Sequence, residues 1–201
     1  VHELPLYVKR FRDEYPEVEL QVEYRRAAQV YSEMIDGRID LGLVAYPKRR
    51  KGLVIHSFWR DRLVVICAPN HPLSREFSVT VEDLAKHPMV GFEPDLPTRQ
   101  AIEKTFERAG VKMNQVLDLD NVDTVKKAVE IGSGFAIVPM RTVDQELEAG
   151  RLRAVMFNDQ DCWRSLGILG KRSRAMTPAM REFVRILTNG RLLKGPVTMP
   201  V

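Results

Sequence analysis

Residues 18–24, Val18-Glu19-Leu20-Gln21-Val22-Glu23-Tyr24, alternate apolar and polar side chains without a break. In extended chain successive side chains point to opposite faces, so this is the pattern of a half-buried strand. The period changes on both sides of it. Before it, Leu4, Val8, Phe11 and Tyr15 fall at helical spacing with charged residues among them, until Pro16 stops the pattern. After it, Val30, Met34 and Ile35 form a short helical face closed by Asp36-Gly37, and Ile39 to Ala45 reads as a buried strand. Helix, strand, helix, strand is the rhythm of a parallel sheet with crossover helices, which makes the fold class α/β.

The rhythm continues downstream. Leu53 to Phe58 and Leu63 to Ala68 read as two strands, ended by Pro69-Asn70-His71-Pro72. Thr80 with Asp83 resembles a capping box opening a short helix through Leu84. Strands are expected at Met89–Phe92, Val116–Leu119, Phe135–Val138, Leu152–Phe157 and Ser165–Leu169. Helices are expected at Thr98–Ala109, with Gly110 at its end, at Val122–Ile131 and around Thr142–Leu147. Thr177-Pro178 opens a last helix carrying Met180, Phe183, Val184 and Leu187 on one face. Two βα-rich blocks of this kind suggest two similar lobes rather than a repeat array.

Composition sets the limits. A chain of 201 residues with 44% hydrophobic and 29% charged residues can bury a core without metals or disulfides. The formal charge of +4 is spread along the sequence, and Lys48-Arg49-Arg50-Lys51 is its only dense basic cluster, read as a solvated loop. Cys67 sits in an apolar run and Cys162 in a polar one; without a CxxC they suit a reducing, cytoplasmic setting. No apolar run approaches the roughly 18–20 residues of a membrane span. His2, His56, His71 and His87 are scattered, and no Walker loop, G-x-S-x-G elbow or G-x-G-x-x-G stretch occurs. Gly132-Ser133-Gly134 precedes a strand, so it reads as a tight helix-to-strand turn and not as a phosphate cradle. An enzyme, a metal site and a bound cofactor are therefore not expected.

Five phrases together resemble one family. They are Leu4-Pro5 with Phe11, Tyr15, Pro16 and Val18; Gly37 with Asp40-Leu41-Gly42; Leu63-Val64 with His71-Pro72-Leu73; Val129 with Gly132, Gly134 and Pro139; and Thr177-Pro178 through Phe183. In this order they are similar to the effector-binding domain of LysR-type transcription regulators. The resemblance implies a type II periplasmic-binding-protein fold: two Rossmann-like lobes with two crossover connections and a ligand cleft. Lobe I would hold residues 1–69 and 160–190 and lobe II residues 70–159, with 191–201 as a tail. It also implies a central strand ahead of the first helix and, further upstream, a DNA-binding winged helix-turn-helix, neither within the chain. It implies a homodimer or homotetramer as well, paired through Leu4, Val8, Phe11, the segment Val18–Tyr24 and the helix near Phe183. The rival reading is a free-standing solute-binding protein serving a transporter, since fold alone does not separate the two.

Ligand contacts are expected where strands turn into helices, because helix-end amides and the dipole favour negative charge there. Arg25 and Arg26 mark one such junction and suit a carboxylate, sulfate or phosphate, unless they pair on the surface with Glu23. Thr98 and Arg99 mark another, with Thr98 read both as N-cap and as a ligand hydroxyl. Asn121 to Thr124 mark a third, where capping comes first and cleft lining by Asp123 and Thr124 second. Ala45 and Tyr46, after the buried strand, would line the cleft mouth. The expected partner is thus a small effector carrying an anionic group.

Overall fold

The computed structural model describes residues 4–158 and 163–189. The calls on His2, on Cys162 and on the tail 191–201 lie outside these residues. The chain divides into two compact units, one running to Arg60 and resuming at Ser165, the other from Asp61 to Arg164. The division falls inside two long strands, whereas the sequence placed it in loops near residues 69 and 159.

In the first unit, α1 (Leu4–Glu14) packs on α7 (Pro178–Leu187). Phe11 meets Phe183 edge-on at 5.2 Å between ring centroids, and Tyr15 donates a 3.0 Å hydrogen bond to Glu182. Within the unit Leu4 and Phe11 are buried, Val8 is partly buried against them, and Leu6 is exposed. Thr177 caps α7 as the Thr-Pro pair implied, its hydroxyl accepting from the Met180 amide.

The decisive alternation at 18–24 sets the facing but not the pairing. Val18, Leu20 and Val22 are half-buried against the α1–α7 cluster while Glu19, Gln21 and Glu23 are exposed, yet the segment joins no ladder among the described residues. Alternation tells which side is apolar; a strand also needs a neighbour to take its backbone groups.

Next, α2 (Ala27–Asp36) lies on β1 (Gly42–Ala45), burying Val30 and Met34 with Val44, Leu53 and Leu169. The approach is close: a Cβ at Gly42 would stand 2.7 Å from Val30 Cγ1. Gly37 ends α2 with φ 77°, the left-handed conformation that glycine adopts without a Cβ penalty. β1 pairs antiparallel with β8 (Trp163–Lys171), Gly42 opposite Leu169 and Ala45 opposite Leu166. Among the described residues this pairing is antiparallel, where the helix–strand rhythm suggested a parallel one. The two predicted strands at 53–58 and 63–68 are one strand, β2 (Leu53–Cys67).

The second unit is built on the distal half of β2. Leu63 to Ile66 pair antiparallel with β6 (Ala136–Pro139), and Val65 to Cys67 with β7 (Arg153–Phe157). A short β3 (Ser78–Val79) lies parallel to β7, and β4 (Met89–Phe92) parallel to β5 (Gln115–Leu119). Helices α3 (Val81–Leu84), α4 (Pro97–Arg108), α5 (Val122–Glu130) and α6 (Asp144–Glu148) cover them. Ile102, Phe106, Val125 and Val129 bury their side chains against β2, β4 and β6. The capping box at Thr80 and Asp83 forms as predicted. So does the turn at Gly134, where a Cβ would stand 2.2 Å from the Pro88 carbonyl oxygen, leaving room only for glycine. Asp61 and Arg164, the first and last residues of this unit, form a buried 2.8 Å ion pair that sequence reasoning did not find.

Candidate functional site

Because β4 and β5 run parallel, the helices after them begin at the same end of that pair. The two starts differ. At α5, Asn121 Oδ1 accepts from the amides of Asp123 and Thr124, each at 3.0 Å, and the Thr124 hydroxyl donates to the Asn121 carbonyl at 2.9 Å. The Asp123 carboxylate lies 3.0 Å from Lys126 Nζ. This is the capping role the sequence put first. It leaves Asp123 and Thr124 engaged with their own helix.

At α4 the N-cap is Leu96, with Pro97 at the first helical position, no side-chain cap and no acidic residue in the first turn. Thr98 is therefore not the N-cap expected from sequence. Pro97 supplies φ near −65° and has no N–H, so the helix start rests on ring geometry instead of on a side-chain acceptor. The amides of Thr98 and Arg99 have no intrahelical acceptor, as in any first turn. They and the Thr98 hydroxyl are the groups this end offers.

Arg99 is held inward, its side chain only 11% exposed. It meets Glu103 at 2.8 Å, Asp118 at 2.8 Å and the Phe92 carbonyl at 3.0 Å. The charge thus ties α4 to β4 and β5. The Glu103 contact was legible as an i,i+4 pair, but Asp118, nineteen residues away, needed the fold. Gln115 joins the same cluster, bonding the carbonyls of Phe92 and Leu117. Its side chain lies where Gly91 would carry a Cβ.

In the first unit, α2 also begins without a side-chain cap or an acidic first turn, and Arg26 is its N-cap residue. Arg25 pairs with Glu23 and stands 3.7 Å from Glu33, the surface ion pairing weighed against ligand contact. Ala45 ends β1. Tyr46 follows at φ 49°, its amide donating to Ser165 at 2.8 Å. For a tyrosine the left-handed region costs about 1 kcal/mol, so the turn fixes where this ring stands.

The remaining titratable groups serve the scaffold. Lys126 is buried against Glu146 at 3.1 Å and the Thr142 carbonyl at 2.8 Å. Cys67 is fully buried, and desolvation raises its thiol to about 11, so it is not a nucleophile at neutral pH. His71 and His87 are not scattered: their rings lie 5.1 Å apart. Burial first, and then the charge of His87, lower the His71 pKa. His71 Nδ1 accepts from the Leu73 amide at 3.2 Å, capping the short turn Pro72–Arg75. Among the described residues no three metal-type ligands gather. Nor is any described helix long and apolar enough to cross a membrane.

The starts of α2 and α4 are thus alike in lacking a side-chain cap and an acidic first turn, and of the two α4 follows a strand. Comparison with known proteins gives the family of the chain. The family model for the LysR substrate binding domain matches residues 2–191, and the chain belongs to that family. The HTH-type transcriptional regulator YeiE of Escherichia coli is 28% identical over 181 residues, covering 90% of this chain and 61% of that protein. The chain thus spans about three fifths of the length of this regulator. The CcmR regulatory domain of Synechocystis PCC6803, solved in complex with 2-PG, superposes with a TM-score of 0.84 at 21% identity, over 94% of this chain and 90% of that one. The effector-binding domain of QuiR, solved in complex with shikimate, gives 0.80 at 17% identity, again over 94% and 90%. The fold is the periplasmic-binding-protein-like architecture of LysR effector domains, as the sequence resemblance implied.

Proposed function

We propose that this chain is the effector-sensing domain of a DNA-binding transcription regulator and that its effector is a small organic anion. The observation that carries the reading is the contrast in helix starts. Of the helices α2, α4, α5 and α7, the first two lack both a side-chain cap and an acidic first turn. A helix start with open amides favours an anion, and a threonine hydroxyl at the second position adds a directed hydrogen bond. Thr98 and the amides of Thr98 and Arg99 are the primary contacts, and Arg26, Ala45 and Tyr46 are the contacts offered by the first unit. Asp123 and Thr124 are secondary, since capping occupies them. Arg25 and Arg99 support the structure through their carboxylate partners.

The domain binds its ligand without transforming it. Kinship with regulators favours this reading over a transporter's solute-binding protein, and a cytoplasmic setting goes with it. DNA contact belongs to a helix-turn-helix segment outside the chain, and the working form is a homodimer or homotetramer. Binding changes transcription through differential affinity for two states of the regulator. Calorimetric titration with small carboxylates and phosphate esters, shikimate among them, tests the reading. A saturable site lost in Thr98→Val supports it. Equal binding of anions and their uncharged analogues overturns it.

A further inference from the structure

A cavity of about 470 Å³ opens in the first unit, and none of the residues assigned above lines it. Ile39, Val54, Met176 and Met180 form its apolar wall, and His56, Lys171 and Arg172 bring nitrogen groups to it. It lies by Ile39 and Asp40, which precede β1, whereas Ala45 and Tyr46 follow β1. Asp40 and Ala45 are five steps apart along the chain, at most roughly 16 Å if fully extended.

The charges around the cavity do not balance. Its two carboxylates are each taken by an arginine: Asp36 by Arg38 at 2.7 Å and Asp40 by Arg174 at 2.6 Å. The Lys171 ammonium has no ion pair or hydrogen bond among the described residues; it lies against Gly37, where a Cβ would stand 3.2 Å away. Among the described residues the Arg172 guanidinium reaches only the Leu53 carbonyl, at 3.5 Å. Two cations that form no ion pair among the described residues, beside an apolar wall and two carboxylates already paired with arginines, fit a molecule with an anionic head and an apolar body. Glycine keeps the floor open: a Cβ at Gly170 would stand 3.3 Å from Val54 Cγ2 and 3.9 Å from Met176 Cε.

We infer that this cavity is a second binding site, separate from the proposed effector contacts, for an amphipathic organic anion such as an aromatic carboxylate. The carboxylate pairs with Lys171 and Arg172 while the ring lies on Met176, Met180 and Val54. The inference does not rest on the effector reading.

The test uses 2-naphthoate as probe and 2-naphthylmethanol as its uncharged counterpart, titrated into the 15N-labelled chain and followed by amide shifts. Naphthoate is expected to shift Ile39, Gly170 and Lys171 saturably, with naphthylmethanol binding at least about tenfold more weakly. Lys171→Gln is expected to weaken naphthoate about tenfold and Lys171→Arg to restore it. Gly170→Ala, which narrows the floor without touching charge, is expected to weaken it several-fold. Thr98→Val is expected to leave it unchanged, so this site and the effector site fail independently. Three results overturn the inference: no saturable shift at millimolar probe, equal affinity for the alcohol, or shifts that persist unweakened in Lys171→Gln and Gly170→Ala. A fourth is response of these amides to duplex DNA only, with steep salt dependence, which makes the region a polyanion patch.

Discussion

The helices that follow β4 and β5 begin at the same end of one parallel pair, yet one start is closed and the other open. α5 is closed by Asn121, which takes two amides. α4 is set by Pro97 and takes no side-chain cap. A capped start gains stability and gives up its amides; an uncapped start keeps them for a ligand. The difference separates the residues that hold the unit together from those left for binding, although their positions in the βα pattern are equivalent.

The strongest way to break the contrast is to close α4 chemically. Thr98→Glu puts a negative charge in the first turn, which stabilises the helix by a few tenths of a kcal/mol while repelling an anion. Effector affinity is expected to fall more than tenfold in calorimetry with the melting temperature unchanged or slightly raised. A parallel loss of both means that Thr98 is structural.

Arg99→Ala tests the other half of the junction. Its guanidinium ties Glu103, Asp118 and the Phe92 carbonyl. Losing these partly buried charge-assisted bonds is expected to cost about 1–2 kcal/mol in urea unfolding. Binding is expected to weaken only as far as the α4 start loosens, and Arg99→Lys is expected to recover part of the stability. A large affinity loss with stability intact returns Arg99 to direct ligand contact.

On the closed side, Asn121→Ala is expected to remove about 1 kcal/mol of stability by urea unfolding and to change effector affinity less than twofold. An affinity loss as large as that of Thr98→Glu erases the distinction between the two starts.

The smallest effect concerns a cap whose acceptor titrates. His71 accepts from the Leu73 amide only when neutral, and its pKa is lowered in the folded state by burial and by His87. The unfolded chain therefore binds more protons below its ordinary value of about 6.5, so stability is lost as pH falls through that point toward the folded value. His71→Asn keeps an acceptor without the titration. Thermal melts from pH 7.5 to 5 are expected to fall less steeply in the variant, and identical slopes refute the assignment.

Much of this was legible in the sequence, for reasons that differ by element. Thr177-Pro178, Thr80 with Asp83, and Gly37 announce their caps because capping is local chemistry. Asn121 was likewise read as a cap before a ligand contact. The period of 18–24 gave the buried side at Val18, Leu20 and Val22 but not at Tyr24, which is exposed; its backbone partner is a property of the whole chain, and the segment forms no strand among the described residues. β2 reads as two strands because Arg60-Asp61-Arg62 looks like a break; Asp61 is instead buried with Arg164, more than a hundred residues on. At α4 the Thr-Arg pair marked a real helix start, but not how it is capped or where the arginine goes. Proline, not threonine, sets the start, and the arginine turns inward to carboxylates that spacing alone did not place beside it.

The most direct measurement is an amide-shift titration of the 15N-labelled chain with a panel of small organic anions, each paired with its uncharged analogue. An anion that shifts Thr98 and Arg99 saturably while leaving Asp123 and Thr124 largely unmoved, with its neutral analogue silent, is the expected result. Saturable binding that moves the α5 start and spares α4, or that proceeds equally well without the charge, contradicts it.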